Sequence, residues 1–150
     1  MNALLKKLNF KNQKSIVIIN SPQEFEGVMN DFKMSLEVFT QPGKQIEFAL
    51  VFCTKLQEIE KWAPVIDSEM VDDALFWFAY PKGSSKRYKC EFNRDNGWEA
   101  LGKLGYEPVR MVAVDEDWSA LRFRKAKNIK SLTRNPEWIM SEEGKTKAKK

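Results

Sequence analysis

Three apolar runs, two of them leading straight into a helical pattern, constrain this chain more than any other feature. They are Ser15–Asn20 (SIVIIN), Ile46–Cys53 (IEFALVFC) and Leu75–Tyr80 (LFWFAY). Unbroken β-branched and aromatic runs of this length read as strands buried on both faces, since a half-exposed strand would alternate. After the first, Ser21 is the expected N-cap of a helix that has Pro22 in its first turn. Phe25, Val28, Met29 and Phe32 then fall at helical spacing. After the second, Thr54 is the expected cap of a helix carrying Leu56, Ile59 and Trp62, and Pro64 is expected to start a fresh turn through Val65, Ile66 and Met70. Ser35–Phe39 reads as a weaker strand, with a turn at Gln41-Pro42-Gly43-Lys44. Further on, Asp95 is the expected N-cap of a short helix through Trp98, Leu101 and Leu104, closed by Gly105. Val109–Val114 and Ser119–Arg124 flank Asp115-Glu116-Asp117-Trp118 and read as a hairpin.

Strands alternating with crossover helices predict an α/β fold with three layers: a mostly parallel, Rossmann-like sheet ending in a C-terminal antiparallel hairpin. The order resembles the second half of a class I methyltransferase sheet joined directly to its first strand. On that resemblance Ser15–Asn20 is central and Ile46–Cys53 and Leu75–Tyr80 are its successive neighbours. The hairpin closes one edge, and the other edge is cut down to Ser35–Phe39.

The 150 residues fit one domain, expected over residues 1–126. Residues 1–125 hold 18 Lys/Arg and 18 Asp/Glu, so the net charge of +4 comes from the C-terminal end. Residues 127–150 are expected to be a basic, disordered tail. No apolar run approaches the ~18 residues of a membrane span, and the N-terminus does not read as a secretory signal. The reading is cytoplasmic, in keeping with only two cysteines, Cys53 and Cys90. Histidine is absent, which removes the usual general base and the Ser-His and Cys-His pairs. No metal-ligand spacing occurs.

Ligands of open parallel sheets sit beyond the carboxyl ends of the strands. Loops leave those ends at Asn20-Ser21-Pro22, at Cys53-Thr54-Lys55 and at Tyr80-Pro81-Lys82-Gly83. The first turn lacks the glycines that let a backbone approach an adenosyl or dinucleotide group, so no cofactor is expected and the fold reads as a degenerate methyltransferase-like one. The third loop is basic. Lys82, Lys86, Arg87, Lys89 and Arg94 are expected either to converge on a phosphate or carboxylate or simply to be solvated, with Gly83 and Ser85 in the same turn. The candidate ligand residues are therefore Asn20, Ser21, Lys82, Gly83, Ser85, Lys86, Arg94, Asp95, Asp115, Trp118 and Arg122. Asp95 reads as a cap before it reads as a base. Trp118 reads as core cover or a stacking surface, and Arg122 as a partner of Asp95 or Asp115.

Three blocks in order carry a further resemblance: Tyr80-Pro81-Lys82-Gly83, then Arg94-Asp95-Asn96-Gly97-Trp98, then Asp115 followed by Trp118-Ser119-Ala120-Leu121-Arg122-Phe123-Arg124. Together they resemble a family of short bacterial proteins of unknown function. That resemblance implies a reduced methyltransferase-like fold and supplies no catalytic residue.

Taken together these features favour a non-catalytic α/β binding or interaction module with an anionic small molecule at the strand tips. One alternative is an enzyme acting on a phosphorylated or carboxylated small molecule, with Lys82 and Arg94 as clamps and Asp95 or Asp115 as base. Another is weak nucleic-acid association through the tail, with Trp118 or Tyr80 stacking; nucleic acid and membrane are not the expected partners. No feature specifies an oligomeric state.

Overall fold

In the computed structural model, which describes residues 2–93 and 95–129, one sheet carries the whole fold. Its six strands are β1 (Ser15–Ile19), β2 (Glu37–Phe39), β3 (Ile46–Phe52), β4 (Met70–Pro81), β5 (Tyr106–Ala113) and β6 (Trp118–Lys125), in the order β2-β1-β3-β4-β6-β5. β1 pairs in parallel with β2 and β3, and β3 in parallel with β4. β6 returns antiparallel to β4, and β5 lies antiparallel to β6 at the edge. This is the mostly parallel Rossmann-like sheet with a C-terminal antiparallel hairpin that the sequence predicts. Its order is that of a methyltransferase-like sheet shortened at the β2 edge.

Helices α1 (Ala3–Lys7) and α2 (Glu26–Lys33) cover one face, and α3 (Leu56–Glu69) and α4 (Glu99–Lys103) the other. Alternate strand residues serve the two layers. Ile16, Ile18, Phe48, Leu50 and Trp77 pack with Leu5, Leu8, Phe25 and Phe32. Val17, Ile19, Ala49, Val51, Phe76 and Phe78 pack with Ile59, Ala63, Ile66 and Leu101. Two covered faces explain why the three runs show no polar alternation.

The short α1 is held by tertiary contacts, because five residues cannot form a stable helix alone. The Asn2 side chain accepts from the Leu4 N–H at 2.7 Å, Leu5 and Leu8 are fully buried, and the Trp77 indole N–H donates to the Leu8 carbonyl at 3.0 Å.

Several local expectations are corrected. Pro64 lies inside α3 and starts no new turn. Ile59, Ala63 and Ile66 are fully buried on both sides of it, and that packing outweighs one lost backbone bond. β4 starts at Met70, directly after α3, where the sequence suggests Leu75. Its first turn is irregular, with Asp73 left-handed (φ 56°) and a register shift against β3 between Ile46 and Phe48. Ser21 does not cap α2: its hydroxyl donates to the Met29 sulfur at 3.2 Å, and a 3-10 turn, Gln23–Phe25, leads into the helix. Glu58 takes over the role expected of Thr54, reaching back to accept from the Thr54 and Lys55 N–H groups at 2.8 and 3.0 Å. Asp95 does not cap α4, whose cap position is Trp98. Asp95 instead sits in a turn organised by the Asn93 side chain, which accepts from the Asp95 and Asn96 N–H groups.

The β2–β3 connection, residues 40–45, contains no helix. Val17 aligns with both Phe39 and Ala49, so Ile46 lies only three residues below Phe39 along the strand direction. That drop and two strand spacings make a gap of roughly 14 Å, within reach of six extended residues. At the other end, the 3-10 turn Ala126–Asn128 is tied to β4 by Lys127–Asp72 at 3.3 Å. The expected tail from residue 130 onward lies outside the described residues. Among those described, no helix is long and apolar enough to cross a membrane.

Candidate functional site at the strand tips

The carboxyl ends of β1, β3 and β4, together with the β5–β6 turn, form the rim where a ligand would sit in such a sheet. Asn20, directly after β1, adopts the left-handed conformation (φ 57°) that glycine takes most readily. Its side-chain amide donates to Glu58 at 3.4 Å. The left-handed turn is therefore made by an asparagine, one of the few residues besides glycine that tolerate it.

Aromatic side chains fill the space behind that turn. Phe25 meets Phe52 at 4.9 Å between ring centroids, Phe52 meets Trp118 at 5.1 Å, and Trp118 meets Tyr88 at 4.9 Å. Trp118 is 3% exposed, so it covers the core end, as the sequence favours, and offers no stacking face. Glu24 joins this row from above. It accepts from the Tyr88 hydroxyl and, at 3.4 Å, from the Trp118 indole, and Arg87 lies 3.7 Å away. The Tyr88 hydrogen bond, then those of its own backbone and of Trp118, and the charge of Arg87 hold the Glu24 carboxyl below the usual range, against a smaller opposing effect of burial.

The basic loop after β4 is fastened at both ends. The Lys82 N–H donates to the Asp117 carbonyl at 2.8 Å, and the Ser85 hydroxyl to the Asp117 carboxylate at 2.9 Å. The Ser85 oxygen in turn accepts from the Arg87 and Tyr88 N–H groups, each at 3.2 Å. Farther along, the Glu91 N–H donates to Thr54 and the Glu91 carboxylate accepts from the Leu56 N–H at 3.0 Å. Lys86 and Lys89 are exposed and Lys82 is half-buried. None of the three takes part in an ion pair among the described residues. Gly83 is exposed, has no positive φ and has open space where a Cβ would go, so the turn does not need its freedom.

The predicted set thus divides. Asn20, Ser21, Lys82, Gly83, Ser85, Lys86, Asp115 and Trp118 lie at the rim. Asp115 folds its own hairpin, accepting from the Asp117 and Trp118 N–H groups at 2.8 and 2.9 Å. Asp95 is displaced to the α3–α4 side, in the turn before Trp98. Arg122 is not at the rim and meets neither Asp95 nor Asp115; it lies opposite Trp77, four residues down β6 from Trp118. Arg94 lies outside the described residues. Sequence reasoning missed Glu24, Glu58, Tyr88 and Asp117, the residues that organise the rim. Nothing local marks Glu24 as a carboxylate whose partner is 64 residues away.

Chemically, the rim carboxylates act as fixed acceptors for backbone N–H groups and for hydroxyl, phenol, indole and amide donors. The thiols of Cys53 and Cys90, both pushed up by burial, are not poised as nucleophiles. Among the described residues no group of side chains could hold a metal ion.

No protein-family model and no curated protein matches the chain. Among solved structures it is similar to one chain of a fibrillarin/Nop5p complex (TM-score 0.48, 8% identity, covering 81% of this chain and 78% of that one). It is also similar to M. capricolum TrmK in complex with S-adenosyl-homocysteine (0.46, 11%, 94% and 75%). A third similar structure is a type 11 methyltransferase homologue from Sulfolobus solfataricus (0.43, 6%, 89% and 93%).

Proposed function

We propose that this protein is a non-catalytic α/β binding module, working in the cytoplasm, whose basic Lys82–Lys89 loop takes an anionic small molecule at the strand tips. We further assign it to the family of short bacterial proteins that its PKG, DxGW and WSALRFR blocks resemble, with residues 1–126 as the working domain. The observation that supports the reading is the basic loop itself: Lys82, Lys86 and Lys89 take part in no ion pair among the described residues and stand on a turn fastened to Asp117 at the strand tips. A lowered Glu24 pKa also runs opposite to what a general base near pH 7 requires.

Thermal shifts with S-adenosylmethionine, nucleotides, sugar phosphates and dicarboxylates test this. At about 100-fold excess over its dissociation constant a ligand stabilises by about 2.7 kcal/mol. An anion is expected to stabilise the protein, with the effect lost in Lys82→Ala and Lys86→Ala. Stabilisation by S-adenosylmethionine would overturn the reading.

A further inference from the structure

Arg122 has no role in the rim, and the core gives it none. The alternation of β6 puts Trp118, Ala120, Arg122 and Arg124 on the α1–α2 side of the sheet. Across the ladders Arg122 faces Trp77 on β4 and Arg110 on β5. Two like charges directly opposite one another on a sheet repel.

That opposition results from a bulge. β5 and β6 pair Pro108 with Phe123, and then the register shifts so that Arg110 pairs with Arg122. Without the extra residue, Val109, Arg110 would face Leu121 on the α3–α4 side, away from Arg122. Bulges commonly re-aim a side chain toward a functional site. Here one aims a second guanidinium at the first.

Arg110 is exposed, and Arg122 is short of partners. Arg122 is half-buried, and its Nε is buried with no hydrogen-bond partner. Burial first, then the neighbouring charges of Arg124 and Arg110, push its pKa down, while Asp73 opposes them. The acids on this face sit lower. Asp73 is taken by Arg124, through two hydrogen bonds of 2.8 and 2.7 Å, and Glu107 lies across from Arg124. On the helix side, Lys7 of α1 donates to the Ala113 carbonyl at 2.7 Å.

We propose that Arg110 and Arg122 form a phosphate-binding site on the α1 side of the sheet, which takes the dianionic phosphate of a phosphomonoester between two guanidinium forks. Two guanidinium forks bring two positive charges, which a phosphomonoester with three terminal oxygens and a charge near −2 matches and a carboxylate of charge −1 does not. This site is separate from the strand-tip loop, and its variants are separate from those that test that loop.

The experiment uses the full chain and compares inorganic phosphate, O-phosphoserine, serine and a ten-residue single-stranded oligonucleotide by calorimetric titration and thermal shift. Phosphate and phosphoserine are expected to bind and serine not to. Arg110→Gln and Arg122→Met are each expected to weaken binding by about tenfold to a hundredfold, the value of a charge-assisted bond. Arg122→Met is also expected to raise the melting temperature without ligand, since it removes a half-buried, unpaired charge. That second readout keeps a loss of binding from being mistaken for unfolding. Binding that survives both substitutions overturns the site, as does binding lost in Lys82→Ala but kept in both arginine variants, which instead supports the rim. Tighter binding of the oligonucleotide than of phosphoserine would also overturn it, since that points to a phosphodiester backbone.

Discussion

Single residues decide how the tips of this sheet are closed. Gly97 has φ +94°, and a Cβ there would lie 2.4 Å from the Phe92 Cβ. Gly97→Ala is therefore expected to cost roughly 2–4 kcal/mol by urea denaturation, combining left-handed strain with overpacking. Gly83→Ala, with open space and no positive φ, should stay within about 0.5 kcal/mol. The sequence suggested the opposite emphasis, because a glycine in a basic loop reads as functional and one before a tryptophan reads as a helix start. Glu24 gives a pH signature. Its folded-state pKa is lowered, chiefly by Tyr88, so the stability it contributes is present above its ordinary value of about 4.3 and is lost as pH falls through the folded value. Tyr88→Phe should flatten the acid limb of the stability profile below about pH 5. An unchanged limb would show that the hydroxyl does not hold Glu24.

At the scale of elements, legibility followed burial. β1, β3 and the apolar half of β4 were readable because both faces are covered and the runs are unbroken. The start of β4 was not, since Met70–Asp73 continues the helical spacing of α3 and pairs only through an irregular register. Nor was the Arg110–Arg122 pair, because cross-strand partners depend on a one-residue bulge that no local pattern encodes. Expected caps failed for separate reasons: a 3-10 turn intervenes between Ser21 and α2, Glu58 of α3 reaches back to the N–H groups before its own helix, and α4 begins beyond Asp95, at a cap position held by Trp98. Docking of α1 offers a direct test. Trp77→Phe leaves the Leu8 carbonyl without its donor in a buried setting and should cost about 1–3 kcal/mol. Amide exchange in residues 2–10 should rise more than in β3. Equal protection in both would mean that the indole bond does not hold the helix.

The whole molecule is two apolar layers sharing one sheet, with Trp77 in the α1–α2 layer and Trp98 in the α3–α4 layer. β1, β3, β4, β5 and β6 each supply side chains to both layers. Urea unfolding followed through single-tryptophan variants retaining one or the other should give the same midpoint, and separated midpoints would break the two-state picture. The global order of strands was the most legible feature of all, since three parallel core strands and a returning hairpin leave few arrangements.

That same order has a consequence for synthesis. β4, the longest strand, finds its second neighbour only in β6, whose pairing residues begin at Trp118. A nascent chain halted on the ribosome before that point would carry the Phe76–Pro81 edge bare, with its hydrogen-bonding groups open to any other incomplete copy. Premature termination between β4 and β6 is thus a route to clumping, and the last hairpin serves the growing polypeptide as its lid.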